Sequence, residues 1–170
     1  VAISENVKQA WQVDFGSKIT PPVVADGKLF LARPDAHQVC CLDAGSGQQQ
    51  WSFTAGARVD SPPTIYKGMV LFGSRDGCVY CLRAADGALV WRFRAVADDR
   101  RLMAWDQLES VWPVHGSILI REGLAYFVAG RNSFTDGGIF LYALDSRSGK
   151  VVHHKRMYGP YGKNGLPVPC

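Results

Sequence analysis

Leu42-Asp-Ala-Gly-Ser-Gly-Gln-Gln-Gln-Trp51 and Leu82-Arg-Ala-Ala-Asp-Gly-Ala-Leu-Val-Trp91 carry one pattern forty residues apart. A third copy, Leu144-Asp-Ser-Arg-Ser-Gly-Lys-Val-Val-His153, follows 62 residues after the second, so that repeat holds 22 residues more. Trp11 lies forty residues before Trp51 and extends the series towards the N-terminus. A period near 40 within 170 residues points to a repeat architecture.

The residues around each copy resolve into four short strands. In the second unit these are 61–66, 69–74, 78–83 and 88–94, separated by Lys67-Gly68, Asp76-Gly77 and Asp86-Gly87. Glycine supplies the positive φ that such tight hairpins require. The first unit reads the same way over 19–54 and the third over 117–156. A helical period competes only weakly, over 102–112. Four antiparallel strands recurring about every 40 residues are the pattern of β-propeller blades. The reading is an all-β, partial propeller. Blades lie at 19–56, 60–96 and 117–156, and residues 8–15 form the outer strand of a preceding blade. Residues 97–116 form an insertion, and a Gly- and Pro-rich tail runs over 157–170.

Composition agrees. The chain is 47% apolar, with 18 glycines and nine prolines, which suits many turns rather than long helices or disorder. No run approaches the roughly 20 apolar residues of a membrane helix. The net charge of +4 is spread along the chain, and the densest basic cluster (Arg92, Arg94, Arg100, Arg101) is broken by Asp98 and Asp99. A nucleic-acid groove needs an unbroken basic stripe, so no nucleic-acid partner is expected. The chain begins at Val1 without a signal segment and reads as part of something longer.

The Leu-Asp-Ala-x-x-Gly-x-x-x-Trp pattern resembles the tryptophan-docking repeat of the pyrroloquinoline quinone (PQQ)-like propellers, over residues 11 to 156. That superfamily includes quinoprotein alcohol dehydrogenases and the outer-membrane assembly lipoprotein. Val79-Tyr-Cys-Leu82 and Leu141-Tyr-Ala-Leu144 look like its Tyr-Ala-Leu-Asp strand. The resemblance implies that Gly47, Gly87 and Gly149 end docking turns, and that Trp51 and Trp91 pack on neighbouring blades. It implies a periplasmic or extracellular location and further blades as partners. It does not choose between catalytic and non-catalytic members, because both share the repeat. Arg83 stands where the family has Asp, and His153 where it has Trp, so the third docking contact should differ.

Candidate chemistry within the blades is sparse. The family's methanol dehydrogenases carry an adjacent-cysteine disulfide, which Cys40-Cys41 suggests. Both cysteines fall in a third strand, however, where successive side chains face opposite ways. The same alternation separates Cys78 from Cys81 and His153 from His154, so no metal site is expected there.

The insertions are more informative. About 15 extra residues lie between Trp91 and Ser117, and about seven near 130–138; because strands alternate direction, both emerge on one face of the disc. The docking turns emerge on the other. The candidate surface comprises Arg33, His37, Arg75, Asp76, Trp105, Glu109, Trp112, His115 and Arg131, joined by Met103, Gln107, Asn132 and Phe134. Aromatics among Arg, Glu and His suit a protein partner or a polar, sugar-like ligand. In the plainer alternative, Trp105 and Trp112 only plug the insertion onto its blade. The leading function is a binding or scaffold module without a cofactor. The alternative is part of a quinoprotein oxidoreductase, with PQQ and calcium held by axis-facing carboxylates such as Asp60, Asp76, Glu109 or Asp136. An open arc leaves two apolar blade faces, so the isolated segment is expected to associate.

Overall fold

Alternating apolar strands and glycine turns become three four-stranded antiparallel sheets in the computed structural model of the chain, which describes residues 8–159. The first sheet pairs β1 (Val23–Ala25), β2 (Lys28–Arg33), β3 (Gln38–Asp43) and β4 (Gln49–Thr54) in chain order. β5 (Thr64–Tyr66), β6 (Met69–Gly73), β7 (Cys78–Arg83) and β8 (Leu89–Arg94) make the second. A short hairpin of β9 (Arg101–Ala104) and β10 (Gln107–Ser110) follows. The third sheet is β11 (Leu119–Arg121), β12 (Leu124–Ala129), β13 (Ile139–Asp145) and β14 (Val151–Met157). β5 touches both β1 and β11, so the sheets fan out from a common inner edge as propeller blades do.

Strand alternation divides each blade's apolar residues between two neighbours. Phe30, Ala32, Val39 and Cys41 of the first blade bury against Val70, Phe72, Cys78, Tyr80 and Leu82 of the second. Leu71, Val79 and Cys81 turn the other way, onto Ala125, Phe127, Ala129 and Leu144 of the third. Cys40 lies with Leu31 and Leu42 on the opposite side of its blade from Cys41. Cys40, Cys41, Cys78 and Cys81 are all buried free thiols. The two interfaces repeat one aromatic arrangement. Phe72 stacks on Tyr80 with 5.3 Å between ring centroids and Phe127 on Tyr142 with 5.4 Å, while Phe53 and Phe93 meet the two tyrosines edge-on.

The docking contacts carry the same periodicity. The Trp11, Trp51 and Trp91 indoles donate to the carbonyls of Ala44, Ala84 and Ser146 at 3.0, 3.1 and 3.1 Å. Each ring lies on the glycine of that turn: a Cβ on Gly47, Gly87 or Gly149 would come within 2.6–2.7 Å of Trp11, Trp51 or Trp91. These glycines also hold φ of 73°, 73° and 68°, so both backbone and space demand glycine. Asp43 organises its turn by accepting from the Gly45 and Ser46 amides and the Ser46 hydroxyl, and Asp145 does the same with Ser148. In the second blade Arg83 replaces that Asp and pairs with Asp86, whose carboxylate accepts from the Ala88 amide instead. With Tyr126 and Leu141, His153 lines the third blade's open side.

The weak helical period over 102–112 is not realised: Met103 pairs with Leu108 and Ala104 with Gln107 around a two-residue turn, Trp105-Asp106. Both turn residues have positive φ, 53° and 58°, the geometry that Asn-Gly normally signals. Trp-Asp gives no such signal. Residues 8–15 form no strand, although Trp11 docks as an outer-strand tryptophan would; no described residue offers them a strand to pair with. Most of the 157–170 tail, with Cys170, lies outside the described residues.

Candidate functional site: the inserted face

The hairpin β9–β10 does not project freely. It lies across the rim of the second blade, fastened at several points. The Ser110 amide donates to the Arg75 carbonyl at 2.7 Å and the Val114 amide to the Ser74 carbonyl at 3.1 Å, while the Val111 amide closes the hairpin's own base on the Arg100 carbonyl. At the far end Gln107 Oε1 meets His37 Nε2 of the first blade at 2.9 Å. The second insertion joins from the other side, with Arg131 bonded to Glu109 and the Trp112 indole donating to the Asp136 carbonyl at 2.6 Å. Both insertions therefore share one face, and the hairpin bridges three blades.

Under the hairpin runs a continuous chain of ion pairs. Asp35 meets Arg58 at 3.3 Å and Arg58 meets Asp60 at 3.1 Å; Asp60 pairs with Arg75, Arg75 meets Glu109 at 2.8 Å, and Glu109 pairs with Arg131. Three carboxylates face three guanidinium groups, so the chain is neutral. Glu109 is 2% exposed, and its two oxygens go to different arginines. A buried carboxylate is tolerable only when paired in this way. His115 stands beside the chain. Partial burial lowers its pKa first, and the Arg75 guanidinium adds to the shift. Its carbonyl accepts the Ser61 hydroxyl at 2.8 Å.

The residues read from sequence separate into distinct roles. His37, Arg75, Glu109, His115 and Arg131 come together on this face. Trp105 is 76% exposed at the hairpin turn. Arg33 does not join them; it holds Gln38 and the Phe15 carbonyl at the first blade's outer side. Three expected surface residues are instead buried: Asp76, Glu109 and Trp112. Asp76 accepts from the Tyr80 hydroxyl and, at 2.9 Å, the Cys78 amide, which draws it into the blade. Trp112 is roofed by the Arg100 guanidinium, 4.7 Å from its ring centroid. Of the two tryptophans, Trp112 is thus the plug and Trp105 is not. Arg58 and Asp35 escape a sequence reading. Both lie in ordinary-looking turns, and only blade packing brings them to Asp60.

Calcium requires several free oxygen ligands. Here Asp60 and Glu109 are each taken by two arginines, and Asp76 by Tyr80 and Cys78. Among the described residues no group of three or more His, Cys, Asp or Glu is placed to hold a metal ion. Asp60, Glu109 and Asp76 are thus engaged within the chain, and no step is derived through a calcium-bound quinone.

Comparison with known proteins agrees with the fold. The family model described as outer membrane protein assembly factor BamB matches residues 1–166. The alcohol dehydrogenase (quinone) dehydrogenase subunit of Gluconacetobacter polyoxogenes is 27% identical, over 86% of this chain and 21% of its own length. The BamB of Nitrosomonas eutropha is 27% identical, over 94% of this chain and 34% of its own length. Among solved structures, BamB from Moraxella catarrhalis superposes with a TM-score of 0.64 at 20% identity, covering 86% of this chain and 39% of that one. A europium-containing methanol dehydrogenase gives 0.69 at 17% identity, covering 90% and 27%. The chain thus spans between a fifth and about a third of the length of these curated relatives.

Proposed function

We propose, since this chain belongs to the family described as outer membrane protein assembly factor BamB, that it is an arc of a non-catalytic propeller holding a protein partner on its inserted face. The observation that carries the reading is the continuous chain Asp35–Arg58–Asp60–Arg75–Glu109–Arg131. It engages Asp60 and Glu109, two of the four carboxylates that metal chemistry could have used, and it ties the rim together beneath the hairpin. A rigid rim with its charges satisfied is what a docking surface needs, because little ordering entropy is lost on binding. A protein partner fits better than a sugar: the exposed hairpin residues Met103, Trp105 and Leu108 are apolar and aromatic, as in the core of a protein interface. The remaining blades of the intact protein would cover the two open blade faces, in the periplasm or outside the cell.

A quinone-linked dehydrogenase is the reading to separate from this one, because of the likeness to the alcohol dehydrogenase subunit. The test is to supply the intact protein with PQQ and calcium and follow dye-linked alcohol oxidation. The scaffold reading expects no turnover, and expects loss of partner binding when residues 101–110 are replaced by a short Gly-Ser link. Turnover, or unchanged partner binding, overturns it.

A further inference from the structure

The outward side of the hairpin is apolar towards its turn, with Arg101 and Ser110 at its base. Leu102, Ala104, Gln107 and Glu109 face the disc, and Glu109 is buried. Met103 and Leu108 form a cross-strand pair on the solvent side, 71% and 51% exposed, and Trp105 is 76% exposed at the turn. Trp11, Trp51 and Trp91 are docked, and Trp112 is buried, so Trp105 alone stands in solvent.

Its backbone is also costly. A bulky residue in the left-handed region is a true outlier, disfavoured by about 1–2 kcal/mol. Such strain persists only where the surroundings hold it, and it clusters at working sites. Here the His37–Gln107 contact and the buried Glu109 pin the strands on which Trp105 stands. Among the described residues the indole has no hydrogen-bond or ring partner.

The charges around the ridge narrow the occupant. Arg58, Arg75, Arg94, Arg100, Arg101 and Arg131 are each paired with a carboxylate. The carboxylate next to the indole, Asp106, has no partner among the described residues. The free charge beside the apolar ridge is therefore negative, which disfavours an anionic bilayer and favours a basic rim. We infer that Trp105, flanked by Met103 and Leu108, is the anchor for a protein partner whose apolar recess is bordered by lysine or arginine facing Asp106. This rests on the scaffold reading above and names the chemistry of its partner. Buried aromatic anchors of this kind dominate binding, while rim charges tune it.

The test uses the intact protein. A photoreactive benzoylphenylalanine replaces Met103 or Leu108, with Arg121 and Glu122 replaced as controls. The crosslinked protein is identified and purified, and its affinity for each variant is measured. The anchor predicts that Trp105→Ser weakens binding about 30-fold or more. Trp105→Phe should recover part of the loss. Asp106→Lys should weaken binding about fivefold, and an acidic substitution at the partner's basic rim should reverse that loss. Unchanged affinity for these variants, or no adduct at the hairpin, overturns the inference. So does Trp105-dependent binding to phosphatidylcholine–phosphatidylglycerol vesicles or to a second copy of the chain. If Asn132→Ala and Asp136→Asn abolish binding while the hairpin variants do not, the anchor falls and the scaffold reading stands. If no variant of this face matters, both fall.

Discussion

Gly87→Ala puts the docking contact to a quantitative test. The new methyl carbon would lie 2.7 Å from Cδ2 and Cε3 of Trp51, so the indole must move. The backbone contributes first: φ is 73° there, and alanine in the left-handed region costs about 1 kcal/mol. Displacing a packed ring in a filled interface adds about 1–3 kcal/mol. Losing the 3.1 Å indole bond to the Ala84 carbonyl adds about 1 kcal/mol. The total is about 3–5 kcal/mol. Gly68→Ala is the internal control, because Gly68 has φ of 74° but nothing within 4 Å of the added methyl. It should cost only the backbone share, about 1 kcal/mol. Urea unfolding of both variants in the intact protein, followed by fluorescence, measures the difference. Trp51→Leu should be less harmful in the Gly87→Ala background than alone, because the smaller side chain makes room. Equal midpoints for Gly87→Ala and Gly68→Ala would refute the packing argument, leaving conformation as the reason for glycine.

Glu109→Gln keeps the shape but leaves Arg75 and Arg131 without their shared carboxylate; the loss should be about 3 kcal/mol by thermal unfolding, with Glu122→Gln on the exposed rim as a silent control. His115 gives a pH dependence whose sign follows from its lowered pKa. As pH falls below the ordinary value of 6.5 the unfolded chain takes up the proton first, so stability is lost through that window, and His115→Gln should flatten the slope between pH 7 and 5. Burial pushes Cys78 to about 11 and Cys81 to about 12 and raises Cys40 and Cys41, so iodoacetamide at pH 8 should label these four only after unfolding. The isolated 170-residue segment should self-associate in light scattering, because Leu119, Val128 and Leu141 remain exposed on the third blade.

The blades were legible because their code is local and repeated. Lys67-Gly68 and Asp86-Gly87 announce turns wherever they stand, and apolar runs such as Val70-Leu-Phe72 fit only strands covered on both sides. The alternation that separates Cys40 from Cys41 follows from strand geometry and needs no knowledge of neighbours. The hairpin β9–β10 was not legible. Its turn residues, Trp105 and Asp106, lack the glycine that would signal it, and the segment carries only a weak helical period that the fold does not use. What holds it as a hairpin is distant: Arg75 and His37 on other blades.

The site divides along the same line. That the two insertions share a face follows from counting strands, since direction alternates along a meander. Which residues of that face are buried does not, because burial depends on what the packing of three blades brings overhead. Asp76, Glu109 and Trp112 look in sequence like free surface groups; in the fold Glu109 and Trp112 are enclosed by bonds from separate segments, and Asp76 by Tyr80 and Cys78 of its own blade. Sequence by itself determined the repeat, the blade and the docking glycines, all of which rest on contacts within one forty-residue unit or between adjacent copies of it. Only tertiary structure decided that Asp35, Arg58, Asp60, Arg75, Glu109 and Arg131 join in one chain. Their charges are separated by up to nearly a hundred residues, and they become partners only when the blades set their rims side by side.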